Sequence, residues 1–176
     1  AGEPQAGLYY HYGIPKYPRK KKLSGVYRHK VLDRKVPLVR SLDDYFYCPH
    51  SRHTEVREED IRKHDELVIL AKSEEAGVFL VMSRDGKQIF MQGHPEYDRM
   101  TLNNEYHRDL KKGMNPEVPC NYYEDNDPFS PPVLNWRICR IRCIQTGLIS
   151  TFTRLRRICW KRKSRKSFKS LQNQEE

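Results

Sequence analysis

The sequence has 176 residues, of which 37% are hydrophobic and 32% charged, enough for one domain with a core of modest size. The net charge of +10 lies wholly in the tail: residues 137–176 carry 12 basic and 2 acidic side chains, which leaves 21 of each sign in 1–136. Composition therefore excludes residues 1–136 as an electrostatic phosphate-binding surface, and no nucleic-acid partner is expected. No apolar run approaches the ~20 residues that cross a bilayer, so no membrane partner is expected either. The opening AGEPQAGLYYHYG lacks the basic start and apolar stretch of a signal peptide, and a cytoplasmic protein is the expectation. The five cysteines, Cys48, Cys120, Cys139, Cys143 and Cys159, are odd in number and irregular in spacing, which suits reduced thiols.

In chain order, residues 5–13 (QAGLYYHYG) suit a helix that ends at Gly13. The basic run Arg19-Lys20-Lys21-Lys22 reads as a solvated loop. From Gly25 the alternation of Val26, Arg28 and Lys30 with Tyr27, His29 and Val31 suits a strand. Pro37-Leu38-Val39 and Tyr45-Phe46-Tyr47 are short extended candidates around an Asp43-Asp44 turn. Glu58-Glu59-Asp60 opens a short polar helix through His64. Leu67–Leu70 and Val78–Met82 read as buried strands, and Arg84-Asp85-Gly86 turns the chain into Gln88–Met91. Residues 98–112 read as a helix with Leu102, Tyr106 and Leu110 on one face, Asp98 as N-cap and Gly113 as stop. Five prolines among Asn and Asp make 114–136 an irregular wrap.

The strongest local feature for chemistry is Gln92-Gly93-His94-Pro95-Glu96-Tyr97-Asp98, between an apolar strand and a helix. Reactive groups collect where strands end and helices begin. Pro95 biases His94 toward extended backbone, which points His94 and Glu96 to one side. A carboxylate so placed can fix the imidazole tautomer and stabilise the imidazolium. On spacing alone a polar strand-end turn is the commoner origin of such a pair. Cys48, His50 and His53 offer three metal-ligand types, but no second ligand pair follows, so no metal site is expected. Arg108 is either a solvated cation or a carboxylate-binding one facing a site.

Taken together, several stretches resemble the homoserine O-acyltransferase family, the O-succinyl- and O-acetyltransferases of methionine biosynthesis. They are QAGLYYHYGIPKY (5–17), KLSGV (22–26), PHSRHTEV (49–56), LAKSEEAGV (70–78), GHPEYD (93–98), EYHRDL (105–110), Asn121-Tyr122-Tyr123 and Trp136-Arg137. Their order along about 5–137 makes the likeness far more specific than any one of them. It implies an α/β fold of the class I glutamine amidotransferase-like (flavodoxin-like) type, present here as an incomplete C-terminal half. It implies a ping-pong reaction, in which a cysteine takes the acyl group from acyl-CoA and the hydroxyl of L-homoserine then attacks the thioester. By motif, His94 would be the general base and Glu96 its orienting partner. Lys22, Ser51 and Arg108 would be substrate contacts. No cofactor is called for, acyl-CoA being a co-substrate, either acetyl-CoA or succinyl-CoA. A homodimer is left open for the intact parent.

Three departures from the family pattern shape the expectation. Ala1 stands where the pattern has its nucleophilic cysteine, so this chain is expected to be inactive alone. The N-terminal half of the family domain, with the region tied to acyl-donor choice, is missing; acetyl is favoured over succinyl on overall likeness. The likeness stops after Arg137, which divides the chain into an acyltransferase part, 1–136, and a basic, disordered tail, 137–176, read as a frameshift product. DNA in which no single-base shift near codons 137–140 restores an aromatic tail would exclude that reading. The rival readings are a non-catalytic binder of acidic partners through the tail and an amidotransferase relative that hydrolyses an amide.

Overall fold

The computed structural model describes residues 3–146. Five strands form one sheet in the order β2-β1-β3-β4-β5. They are β1 (Tyr17–Val31), β2 (Tyr45–Glu55), β3 (Leu67–Ser73), β4 (Gly77–Ser83) and β5 (Ile89–Met91). Helices α1 (Glu3–Tyr12), α2 (Glu58–Arg62), α3 (Thr101–Lys111) and α4 (Arg137–Gln145) complete the described elements, with a 3-10 turn at Glu124–Asn126. Every strand pairing among them is antiparallel. A doubly wound sheet has parallel strands, and the described strand pairings show none.

The strands form where the sequence is β-branched and aromatic. β3 and β4 are buried along nearly their whole length rather than on alternate residues, so both faces of the sheet are covered there. Leu8 and Ile14 at α1 pack with Ile61 of α2 and with Leu67, Ile69, Val81 and Phe90 of the sheet. A second cluster joins Val26 of β1 and Leu102 of α3 to Tyr122, Tyr123 and Trp136 of the wrap. The wrap is regular only at Glu124–Asn126, as its prolines predict.

Several expectations need correction. Residues 19–22 are not a loop but part of β1, which begins at Tyr17. Residues 37–39 are not extended; successive turns, Val36 to Val39 and Val39 to Leu42, bury Val39 and Leu42 instead. α3 starts at Thr101, and Asp98 accepts a hydrogen bond from the Met100 N–H at 2.8 Å just ahead of it. Leu110 is exposed; the inward positions of α3 are Leu102 and Asp109. Residues 137–145, the start of the basic tail, form α4, while 147–176 lie outside the described residues, as do Ala1 and Gly2.

Gly25 packs directly against the backbone of Cys120. The backbone of Cys120 bridges to it, with Val26 N–H donating to Cys120 O at 2.8 Å and Cys120 N–H to Ser24 O at 3.0 Å. A Cβ at Gly25 would stand 2.4 Å from Cys120 O, on a φ of +146°. Gly25→Ala is therefore expected to cost roughly 3 kcal/mol or more, read as a lower midpoint in chemical denaturation.

Candidate active site

The segment 92–98 leaves β5 and is clamped on three sides. Gln92 N–H donates to Phe79 O at 2.7 Å and His94 N–H to Pro49 O at 2.8 Å. Trp136 Nε1 donates to Tyr97 O at 2.9 Å. These bonds tie GHPEYD to PHSRHTEV and to Trp136, three segments that are remote in sequence. Gly93 permits the approach: a Cβ there would lie 2.5 Å from the Phe79 ring and 3.1 Å from Cys48 Sγ.

Within that clamp His94 Nδ1 lies 2.8 Å from Glu96 Oε1. A carboxylate only accepts, so the proton sits on Nδ1 and Nε2 is left as the basic nitrogen. The imidazole is 13% exposed, so it is sheltered but reachable. Tyr97 stacks on it, with centroids 4.5 Å apart and planes within 11°.

The Tyr97 hydroxyl donates to Glu105 Oε1 at 2.9 Å. The other oxygen of Glu105 accepts from Ser51 Oγ and from Lys22 Nζ, the latter at 3.2 Å. Lys22 Nζ also reaches Asp109 Oδ2 at 3.0 Å, and Arg108 Nε donates to Asp109 Oδ1 at 2.8 Å. One run of contacts thus leads from Glu96 through His94, Tyr97, Glu105, Ser51 and Lys22 to Asp109 and Arg108. All five residues singled out by sequence lie on it. Arg108 is half exposed at its far end.

Three members of the run were not foreseen: Tyr97, Glu105 and Asp109. Their signal was present, because Leu102, Glu105 and Asp109 follow the i, i+3, i+7 spacing of one helical face. Two acids on an inward face are normally implausible, and the lysine that makes them tenable lies 83 residues from Glu105 in sequence.

Electrostatics agree with this arrangement. Burial would raise the Glu105 carboxyl, but the hydrogen bond from Ser51 and the charge of Lys22 hold it below its ordinary value. Burial acts likewise on Asp109, and Lys22 and Arg108 outweigh it. The Tyr97 hydroxyl is raised by burial first and by the Glu105 charge second, so it stays a donor. Replacing Lys22 by Met would leave two acids, 19% and 4% exposed, without their shared cation. We expect a loss of about 3–5 kcal/mol, read as a lower urea midpoint at neutral pH and partly recovered by acid.

Cys48, His50 and His53 do not gather: the first two are buried and His53 is exposed. Among the described residues no group of three or more metal-ligand side chains occurs, and no helix is long and apolar enough to cross a membrane.

An imidazole held by a carboxylate, and joined by contacts to a cluster of side chains of both charges, is an arrangement of the kind that can move protons at a polar substrate. The family model described as Homoserine O-succinyltransferase matches residues 3–145, and the chain belongs to that family. The match runs eight residues past Arg137, beyond the last of the motifs that carry the sequence likeness. The homoserine O-acetyltransferase of Agathobacter rectalis is 65% identical over 133 residues, covering 76% of this chain and 43% of that protein. That of Thermotoga neapolitana is 58% identical over 132 residues, covering 75% and 43%. The chain spans less than half the length of these curated relatives. Among solved structures, that of SMU.1228c shares the fold at a TM-score of 0.54 and 14% identity, over 81% of this chain and 57% of that one.

Proposed function

We propose that this chain is the C-terminal part of a homoserine O-acyltransferase, which moves an acyl group from acyl-CoA to the hydroxyl of L-homoserine in methionine biosynthesis. The observation that carries the reading is the continuous run of contacts from Glu96 through His94 to Arg108. A cysteine thiolate attacks the thioester carbonyl, and CoA leaves as its thiol by taking the proton of the His94 imidazolium, which leaves His94 neutral. His94 Nε2 then takes the proton of the homoserine hydroxyl as that oxygen attacks the acyl-cysteine, and the cysteine thiolate departs. Glu96 keeps the imidazole in the tautomer that can accept and stabilises the imidazolium. L-Homoserine is a zwitterion. Lys22 and Arg108 suit its carboxylate, Glu105 and Asp109 its ammonium, and Ser51 stands between them.

The acyl donor is read as acetyl-CoA, in line with the names of the curated relatives, with succinyl-CoA as the alternative. The amidotransferase-like fold, with its parallel strands in the other half, is read from the family likeness; the shared fold with SMU.1228c is compatible with it. Ala1 stands at the place of the nucleophilic cysteine, so the chain alone is read as inactive. A cytoplasmic setting accords with the reduced thiols that the reaction needs.

The test uses the intact parent with cysteine at position 1. Incubation with acetyl-CoA should add one acetyl mass to the protein, and L-homoserine should discharge it as O-acetyl-L-homoserine. Release of ammonia from glutamine, with no acetyl-protein, would refute the reading in favour of an amidotransferase.

A further inference from the structure

β1 and β2 pair in register from Leu23 onward, but the ladder breaks between Pro18, opposite Thr54, and Leu23, opposite Arg52. Residues 19–22 of β1 therefore face His53 alone on β2. In a regular strand three consecutive lysines would point alternately to opposite faces. The bulge re-aims them, and Lys20, Lys21 and Lys22 all line one cleft of about 370 Å³, together with His53. That volume falls in the range of small-ligand pockets, roughly 300–1,000 Å³.

The three lysines are not equivalent. Lys22 is held by Glu105 and Asp109 at the inner end. Lys21 pairs with Glu117 and is largely exposed. Lys20 has no acidic partner among the described residues, so the cleft holds one cation in excess, with His53 beside it. Tyr106, Met114 and Pro116 give the lining an apolar stretch, beside Ser24, Asn115 and the acids Asp109 and Glu117. Lys22 and Asp109 are shared with the run of contacts that leads to His94, so an occupant of the cleft would adjoin that site.

We propose that this cleft holds the phosphoadenosine end of the acyl-CoA co-substrate. A phosphate would sit on Lys20, Lys21 and His53, and the base would lie against Tyr106, Met114 and Pro116. The proposal rests on the acyltransferase reading for the identity of the nucleotide, and on the bulge for the site itself. The balanced composition of 1–136 argues against any phosphate-binding surface; the bulge overrides that expectation by gathering cations locally.

The probe is adenosine 3′,5′-bisphosphate, titrated into the 176-residue chain carrying ¹³C-methyl methionine. The Met114 methyl should shift saturably while those of Met82 and Met91 stay in place. Lys20→Glu should weaken binding about tenfold or more. Lys35→Glu, beyond the opposite end of β1, should leave it unchanged. Added salt should weaken binding in the parent chain and less so in Lys20→Glu. A Met114 signal that does not move, or a Lys20→Glu chain that binds as well as its parent, would overturn the proposal. Inorganic phosphate acting at the same concentration as the bisphosphate would overturn the nucleotide assignment. If the bisphosphate binds here and the intact parent fails to acetylate itself, the cleft stands and the acyltransferase reading falls. If the parent transfers acetyl and Met114 never responds, only the cleft falls.

Discussion

Acidification from about pH 8 to about pH 5.5 is expected to remove about 3 kcal/mol of stability through two histidines alone. His29 and His50 are both fully buried, with their Nε2 atoms 2.9 Å apart. Phe46 and Phe79 enclose His29, and Tyr27 flanks His50. One imidazole must donate and the other accept, and burial keeps both of them neutral. Burial pushes His29 from 6.5 down to about 3. Burial first, then the neighbouring His29, Arg52 and His94, pushes His50 well below 6.5. The unfolded chain therefore binds protons first. Stability is full above the unfolded value of 6.5 and is lost as pH falls from there toward the folded values. One unit below 6.5 the loss is about 1.4 kcal/mol per histidine. Urea midpoints at the two pH values should show this, and His29→Phe/His50→Phe should show a correspondingly smaller drop, since its pair no longer titrates. The interval lies above most carboxylate titrations, which separates the two effects. A double variant whose midpoint falls as steeply as the parent's would contradict the neutral buried pair.

The largest effect on turnover is expected at His94. In the intact parent with cysteine at position 1, His94→Ala should lower kcat by about 10²–10⁴-fold, the usual worth of a positioned general base. Glu96→Gln should lower kcat too, because an amide can still bond Nδ1 but stabilises no imidazolium. Arg108→Ala should act differently, raising KM for homoserine about tenfold or more while sparing the first half-reaction with acetyl-CoA. Retention of near-normal kcat by His94→Ala, with folding intact, would remove the base assignment.

The sequence was most informative where chemistry is local. His94 and Glu96 are two residues apart, so their pairing was legible, though a turn closed by Tyr97 N–H on His94 O at 3.1 Å brings them together instead of the extended backbone expected from Pro95. The central strands were legible too, because continuous apolar runs such as Val78–Met82 have few other uses. What escaped depended on pairing across distance. Lys22 looked like the end of a solvated basic run, since its acids arrive from a helix more than 80 residues on. The same ignorance of partners made Leu110 look inward and gave no reason to look at Asp109. The bulge at 19–22 is a property of register, which no reading of one strand reveals. His29 and His50 meet only because β1 and β2 pair and Phe79 closes over them.

The wrap at 114–136 illustrates the middle case. Its prolines foretold irregular backbone, but not its task. Tyr122 O–H donates to Arg99 O, and the Tyr123 hydroxyl donates to Asn103 Oδ1 at 2.8 Å. Trp136 holds Tyr97. The wrap thus fixes the start of α3 and the turn that bears His94, which explains why the Asn-Tyr-Tyr and Trp-Arg stretches belong to the family likeness.

The His94 tautomer decides whether a base stands at this site, and histidine ring nitrogens can be read directly. Long-range ¹H–¹⁵N spectra of the uniformly ¹⁵N-labelled chain, with His94 assigned by His94→Gln, should show a protonated Nδ1 and a bare, basic Nε2 at pH 8. Glu96→Ala should shift that population toward the Nε2–H form. A His94 ring already carrying its proton on Nε2, indifferent to the loss of Glu96, would mean that no base stands ready at this site.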